Sequence, residues 1–316
     1  MTITTKTKFS EYLKSTFVSL VMRTKNTLSN ILPEKSILYK QLVLLSLKLY
    51  VKVSHKTRNH FRFYILVADH CNLKCKSCST FSPLAEESFL DVDGFKDDMQ
   101  RIADLTDHNM ESILLGGGEP LLHPRLNDII SITRQIFPNV TICLVTNGIL
   151  LIKQSDTFWE TCKANNVYIL LSRYPINVEY DKVKEKALLY NVHFGYEGGD
   201  NVPIKKMWKY PLDLTGNQPK RCSFDICTQI NCNTTLLNGK LYPCAVIPCS
   251  KHFSAYFDKN LEITDKDYID IYNVNSAKEL FEFANTPKPF CRYCNRMGLK
   301  LGLKYEASKK VIEEWV

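Results

Sequence analysis

Between residues 61 and 200 the chain alternates short runs rich in β-branched and aromatic residues with longer amphipathic stretches, and this alternation limits the fold more than any other feature. Strands are expected at Phe63–Ala68, Ser112–Leu115, Thr141–Val145, Val167–Leu171 and Val192–Tyr196. Helical stretches such as Val92–Leu105, Asn127–Ile136 and Thr157–Asn165 lie between them. Strands separated by helices pair in parallel, because each helix carries the chain back to the same end of the sheet. The carboxyl ends of all the strands then share one edge, where such folds bind ligands whether the sheet is open or closed.

Two regions flank this alternation. Residues 1–60 read as a basic helical extension. Phe9, Leu13, Phe17, Leu20 and Val21 recur at helical spacing, Pro33 interrupts, and Ser36 opens a more apolar stretch to about Val53. The extension carries eleven Lys or Arg against two acids, Glu11 and Glu34, so nearly all of the net charge of +8 resides there. The neutral body argues against a nucleic-acid channel. A basic amphipathic helix can lie on an anionic membrane surface, but packing against the body is the default expectation. The N-terminus lacks an apolar signal core, and no apolar run reaches the roughly 18 residues of a spanning helix, so a cytoplasmic protein is expected.

The chain has twelve cysteines, seven of them after residue 200. In a reducing compartment clustered cysteines point to metal or redox chemistry rather than a disulfide framework. The first strand runs straight into Asp69-His70-Cys71-Asn72-Leu73-Lys74-Cys75-Lys76-Ser77-Cys78, a C-x3-C-x2-C spacing. Three thiolates on one short loop can hold three irons of a cubane and leave the fourth open to another ligand. Zinc would need a fourth donor, and His70 adjoins Cys71 too closely for an unstrained tetrahedral site.

This loop resembles the signature of radical S-adenosylmethionine (radical SAM) enzymes, and the resemblance extends in strand order over residues 63–200. It implies an α/β fold, a partial (β/α)6 TIM-like barrel, with Cys71, Cys75 and Cys78 on a 4Fe–4S cluster that binds SAM. It also implies reductive cleavage to a 5′-deoxyadenosyl radical and an external donor such as flavodoxin or ferredoxin. The residue before the third cysteine is often aromatic in the family; here it is Ser77, so adenine stacking at that position is not implied. The second strand ends in Gly116-Gly117-Gly118-Glu119-Pro120. The resemblance assigns Gly117, Gly118 and Glu119 to the methionyl amino group. It extends SAM contacts to Asn147 in Thr146-Asn147-Gly148 and to Ser172 and Arg173 after the fourth strand, with Glu197 and Gly198-Gly199 as weaker candidates. Arg173, Tyr174 and His123 are candidates for acting on substrate, although His123 reads more plainly as a helix-start residue.

The region 216–316 contains a hairpin signal, Asn238-Gly239, between Thr234–Leu237 and Lys240–Tyr242, and a helix near Ser276–Ala284. The pattern Cys227-x11-Gly239-x4-Cys244 followed by Cys291-x2-Cys294 resembles the twitch domain, the short form of the SPASM extension of radical SAM enzymes. That resemblance implies one auxiliary 4Fe–4S cluster on four cysteines. Cys222, Cys227 and Cys232 all precede the hairpin; spacing favours Cys227, then Cys232, and zinc is a rival metal. Cys143 and Cys162 fall on core-like positions. The expected division is a basic extension over 1–60, a radical SAM core over 61–215 and a twitch-like domain over 216–316. The expected substrate is a sugar, nucleotide sugar or polyol undergoing oxidation or epimerisation. A peptide or protein substrate, or a non-catalytic iron–sulfur or zinc protein, are the alternatives.

Overall fold

The computed structural model describes residues 36–38, 41–42, 44–46, 48–49 and 62–316, except 198, 200–203 and 231–233. The helix expected around Phe9–Val21 and the candidates Gly198 and Cys232 lie outside the described residues. Among the described residues no helix is long and apolar enough to cross a membrane.

Five strands alternate with four helices in chain order. These are β1 (Arg62–Ala68), α1 (Val92–Thr106), β2 (Ser112–Gly117), α2 (Leu126–Ile136), β3 (Thr141–Thr146), α3 (Asp156–Ala164), β4 (Val167–Leu171), α4 (Tyr180–Leu189) and β5 (His193–Tyr196). Adjacent strands pair in parallel, with Phe63 beside Ile113, Ile113 beside Ile142, Ile142 beside Val167 and Ile169 beside Phe194. The helices begin where side chains satisfy free backbone N–H groups: Asp91 accepts from Asp93 and Gly94 ahead of α1, and Ser155 accepts from Phe158 ahead of α3. Val92, Phe95, Met99 and Ile102 of α1 and Ile129, Ile130 and Ile136 of α2 are buried with Phe63, Ile65, Ile113, Leu115, Ile142 and Leu144 in one core. Apolar residues on both faces of the strands fit a parallel sheet covered by helices.

The sheet also grows on the side away from the fifth strand. After β6 (Met207–Lys209) and α5 (Lys220–Asp225), strand β7 (Thr234–Leu237) pairs in parallel with β1, Phe63 beside Thr234. β8 (Lys240–Tyr242) and β9 (Ile269–Asp270) follow antiparallel, giving the order β5-β4-β3-β2-β1-β7-β8-β9. The cysteine-rich region thus extends the same mixed α/β sheet from its β1 edge while building a second apolar core around Phe81, Ile247, Phe253, Phe290 and Trp315. Helix α6 (Val246–Phe257) belongs to this core, and α7 (Ala277–Ala284) occupies the helical stretch expected near Ser276–Ala284. Sequence periodicity offers no cue to α6 because Pro248 stands near its start; a proline is tolerated there because the first turn needs no intrahelical N–H bond.

The last strand, β10 (Lys300–Leu303), pairs antiparallel with β6, and the chain then runs back along the cysteine loop. Lys76 N donates to Glu306 O at 2.9 Å and Ser308 N to Lys74 O at 2.8 Å. Ser77 Oγ donates to Glu314 O at 2.7 Å, and Trp315 Nε1 donates to Cys78 O at 2.9 Å. Residues 306–315 therefore form a strap that fixes the loop's backbone. Trp315 is 2% exposed and packs against Phe81, Phe253 and Phe257. Trp315→Ala is expected to cost about 3–5 kcal/mol, the usual penalty for emptying a buried aromatic site. Urea denaturation checks this, and a loss below about 1 kcal/mol would mean that the strap is not anchored by this residue.

Candidate functional site

The parallel register brings the ends of β1 to β5 to one edge, and the cysteine loop folds over it. Cys71 Sγ accepts from Leu73 N at 3.3 Å, and Cys78 Sγ lies 3.2 Å from Thr80 Oγ1. Burial pushes the Cys71 thiol up, and Glu119, Cys78 and Cys75 add to the effect. Burial with Cys78 nearby pushes Cys75 up to about 12. The three thiols thus share one small volume, packed by Leu73, Tyr174 and Met207. Among the described residues no three His, Cys, Asp or Glu side chains converge as closely as a single metal ion requires. Three mutually interacting thiols, one of them already accepting a backbone N–H, are a donor set that fits a multi-iron group. Ser77 turns with φ of 59° and is 5% exposed, its hydroxyl committed to the strap. An aromatic ring there would have to displace that contact.

The glycine run is governed by what lies beside it. Gly116 and Gly117 are the last residues of β2 rather than a turn after it. A Cβ on Gly116 would lie 2.7 Å from Tyr64 Oη, and one on Gly118 would lie 1.9 Å from His70 O. Only glycine lets this strand end pass under the start of the cysteine loop, where Gly118 N donates to Ala68 O and Glu119 N to His70 O. The Glu119 carboxylate is 1% exposed. Its Oε1 accepts from Thr146 Oγ1 at 2.6 Å and Leu121 N at 3.2 Å, and its Oε2 accepts from Asn147 N at 3.0 Å. Burial outweighs these three bonds and raises its pKa to about 7. Asn147 joins this group to the loop, its Nδ2 donating to Asn72 Oδ1 at 2.8 Å and lying 3.7 Å from Cys71 Sγ.

At the ends of β4 and β5, Ser172 Oγ donates to Glu197 Oε2 at 2.5 Å, and Lys205 Nζ pairs with the same oxygen at 2.7 Å. Burial would raise the Glu197 carboxyl, but the Lys205 charge prevails and holds it below its ordinary value. Arg173 stacks over the Tyr196 ring, 3.8 Å from its centroid. Tyr174 is 9% exposed, faces Tyr305 with ring centroids 5.4 Å apart, and interacts with Cys75. Tyr174 therefore abuts the cysteine loop. His123 is buried at a chain corner, its Nε2 2.9 Å from Leu90 O and its Nδ1 accepting from Arg125 N, as a structural residue would be. Lys205 and Tyr305 are not legible in the sequence as parts of this edge, and the strand-end motif containing Thr146 does not mark it as a partner of Glu119. Lys205 follows an irregular segment with no periodic pattern, and Tyr305 arrives from a distant part of the chain.

A second group of thiols forms where the hairpin meets the knuckle. Cys227, Cys244, Cys291 and Cys294 are all buried. Burial pushes Cys244 up to about 12, followed by its neighbours Cys227 and Cys294. Burial likewise raises Cys291, with Cys294, Cys227 and Cys244 adding to it. Cys227 Sγ accepts from Gln229 N at 3.4 Å. Cys222 is partly exposed and is not among the groups that most affect these thiols. The guanidinium of Arg296 enters the group, its Nη2 3.6 Å from Cys294 Sγ. Burial alone would lower the Arg296 pKa, but Cys227, Cys294 and Cys244 outweigh it and raise it. Four buried thiols, three of which act on a buried cation, are a donor set suited to an anionic metal centre. Cys143 and Cys162 are buried, and Cys162 belongs to the main core. Cys249, which no motif marks, is a buried thiol between the two groups, sensing Cys78 and Cys244.

Residues 65–183 match the profile of the Radical SAM superfamily. Over these residues the chain carries a radical SAM domain. Radical SAM domains bind a 4Fe–4S cluster and SAM, and the enzymes cleave SAM reductively. Among curated proteins, the chain is 34% identical over 96 residues to a GTP 3′,8-cyclase of Chlorobaculum tepidum, covering 30% of this chain and 28% of that protein. It is 31% identical over 125 residues to a GTP 3′,8-cyclase of Synechocystis, covering 39% and 34%. The chain thus spans well under half the length of these curated relatives. Among solved structures, BtrN with AdoMet and 2-DOIA superposes with a TM-score of 0.47 at 16% identity, covering 75% of this chain and 94% of BtrN. Native anSMEcpe with bound AdoMet gives 0.45 at 14% identity, covering 74% and 89%.

Proposed function

We propose that this radical SAM enzyme abstracts a hydrogen atom from a carbon bearing a hydroxyl group in a small substrate, a sugar, nucleotide sugar or polyol, and oxidises or epimerises it. Cys71, Cys75 and Cys78 hold the SAM-binding cluster in this reading. Cys227, Cys244, Cys291 and Cys294 hold an auxiliary cluster, with 61–215 as the catalytic core and 216–316 as a twitch-like domain. The observation that carries the reading is the pair of separate thiol groups, three on the loop after β1 and four where the hairpin meets the knuckle. When bound, the first cluster supplies the electron that converts SAM to methionine and the radical that removes hydrogen from substrate.

The chain's own residues do the rest. Glu119, with a pKa raised to about 7 by burial, accepts in its ionised form from the methionyl amino group at its carboxylate oxygens. Gly117 and Gly118 allow backbone approach, and Asn147 links Glu119 to the loop. Ser172, held against Glu197 and Lys205, and Arg173, stacked on Tyr196, supply polar contacts for SAM or substrate at the same edge. Tyr174 and Tyr305 shield Cys75 from water. A hydroxylated substrate suits this polar rim, and a C–H bond beside a hydroxyl yields a stabilised radical. The sequence relatives are named for a reaction on GTP, which carries a ribose, and this is consistent with a nucleotide-borne sugar. Flavodoxin or ferredoxin is the proposed electron donor.

The test is anaerobic. Reconstituted protein is reduced with SAM and panels of nucleotide sugars, polyols and peptides, and 5′-deoxyadenosine is measured together with deuterium transfer from labelled substrate. A sugar or polyol that raises 5′-deoxyadenosine and delivers deuterium to it is the expected result. Transfer from a peptide alone would replace the substrate class, and a protein that neither binds nor cleaves SAM would remove the assignment of these residues.

A further inference from the structure

Among the described residues, the second thiol group holds a buried positive charge with which no carboxylate forms an ion pair. Arg296 follows Cys294 by two residues and opens a short turn, Arg296–Gly298, which Asn295 caps by accepting from Gly298 N. It is 3% exposed. Its Nη2 lies 3.6 Å from Cys294 Sγ, and its guanidinium stands over the Tyr210 ring, 4.9 Å from the centroid. Its Nε is buried without a hydrogen-bond partner. The Tyr210 hydroxyl is turned to Thr228 Oγ1 at 3.2 Å. A guanidinium does not deprotonate in a protein, so this charge is permanent. Burying it is costly unless an anion stands beside it, and the sulfurs of Cys227, Cys244 and Cys294 become that anion when they ligate a cluster.

We infer that Arg296 is a fixed countercharge that raises the reduction potential of the auxiliary cluster. The inference rests on the reading of Cys227, Cys244, Cys291 and Cys294 as cluster ligands. One-electron reduction adds a negative charge to an already anionic tetrathiolate centre. A cation a few ångströms away in a dry environment stabilises the reduced form more than the oxidised one. Charge and hydrogen bonds at the sulfurs are established determinants of cluster potential. The Gln229 N–H on Cys227 Sγ acts in the same direction. Arg296 is thus a tuning residue, suited to a centre that accepts an electron rather than one that donates it.

The experiment is a potentiometric titration of the reconstituted full chain followed by electron paramagnetic resonance, with SAM added to identify the signal of the cluster it binds. For Arg296→Gln, iron content should be unchanged while the auxiliary couple moves negative by at least about 59 mV, a tenfold change in the reduction equilibrium for one electron. Arg296→Lys, which keeps the charge, should stay closer to the wild-type potential. If Arg296→Gln loses the second cluster but Arg296→Lys keeps it at the wild-type potential, the requirement for charge is supported. Full iron loading with an unshifted potential in Arg296→Gln overturns the proposal alone, as does loss of the cluster in both variants. Wild-type protein that takes zinc in place of the second cluster overturns the auxiliary-cluster reading, and the proposal falls with it.

Discussion

Replacing Cys71, Cys75 and Cys78 together by alanine should lower the iron content from about eight to about four atoms per chain and reduce 5′-deoxyadenosine formation to background. The three thiols sit on one loop, so the triple replacement removes all the iron ligands that the loop supplies. Cys249, whose thiol is influenced by Cys78, is an additional thiol nearby and is a single one. The loop's path does not depend on metal alone. The strap holds it through the backbone of Lys74, Lys76 and Cys78, and Gly118 and Glu119 hold its start. The variant should therefore stay folded, with a denaturation midpoint close to that of metal-free wild type. Because the second thiol group is built from other elements, its iron should remain. Retained SAM cleavage in the triple variant would remove these cysteines from the reaction. Loss of all iron would mean instead that the two centres assemble as one unit.

Much of this arrangement is legible in the amino-acid sequence because parallel strands impose it. The hydrophobic runs from Phe63 to Tyr196 mark five strands, and the chemistry-bearing residues follow their carboxyl ends. Local spacing is sufficient for Cys71, Cys75 and Cys78, since so short a loop cannot separate them far. It is less informative for contacts that depend on register. Thr146 reaches Glu119 because β3 lies beside β2, and Lys205 reaches Glu197 across a connection with no periodicity. The strap leaves no mark in the sequence for the same reason, its contacts with the loop joining residues 237 positions apart. Arg296 follows a recognisable knuckle, yet a lone arginine in sequence gives no sign of burial. Pro248 obscures the first turn of α6, where position in the helix decides what proline does. Hydrophobic pattern thus recovers the layers, while the buried charges depend on the tertiary arrangement.

Glu119→Gln should weaken SAM binding by on the order of 10²–10³-fold, because it removes one partner of a buried charge pair at a site where no other anion replaces it. Equilibrium binding to the reconstituted protein measures this. In wild type the Glu119 carboxyl has a pKa of about 7, raised chiefly by burial. Its ionised form is the one that pairs with a cationic amino group, so wild-type affinity should fall as pH drops below about 7. The glutamine variant should lack that dependence. Stability runs the other way in the SAM-free protein. A carboxyl raised from 4.5 to about 7 binds its proton more tightly in the folded state, so its favourable contribution is present below about pH 4.5 and is lost as pH rises through 7. The loss amounts to about 3 kcal/mol at about pH 8. Glutamine cannot ionise and escapes it, although its amide must then face either the Asn147 N–H or the Thr146 and Leu121 donors, which costs about 1–3 kcal/mol. SAM-free Glu119→Gln should therefore be no less stable than wild type at about pH 8, and less stable at about pH 5 where wild-type Glu119 is mostly protonated. A variant that binds SAM normally would take Glu119 out of the ligand site. One that loses binding together with stability at the higher pH would make its role structural. Weaker binding without that instability is the signature of a charge kept buried for its ligand.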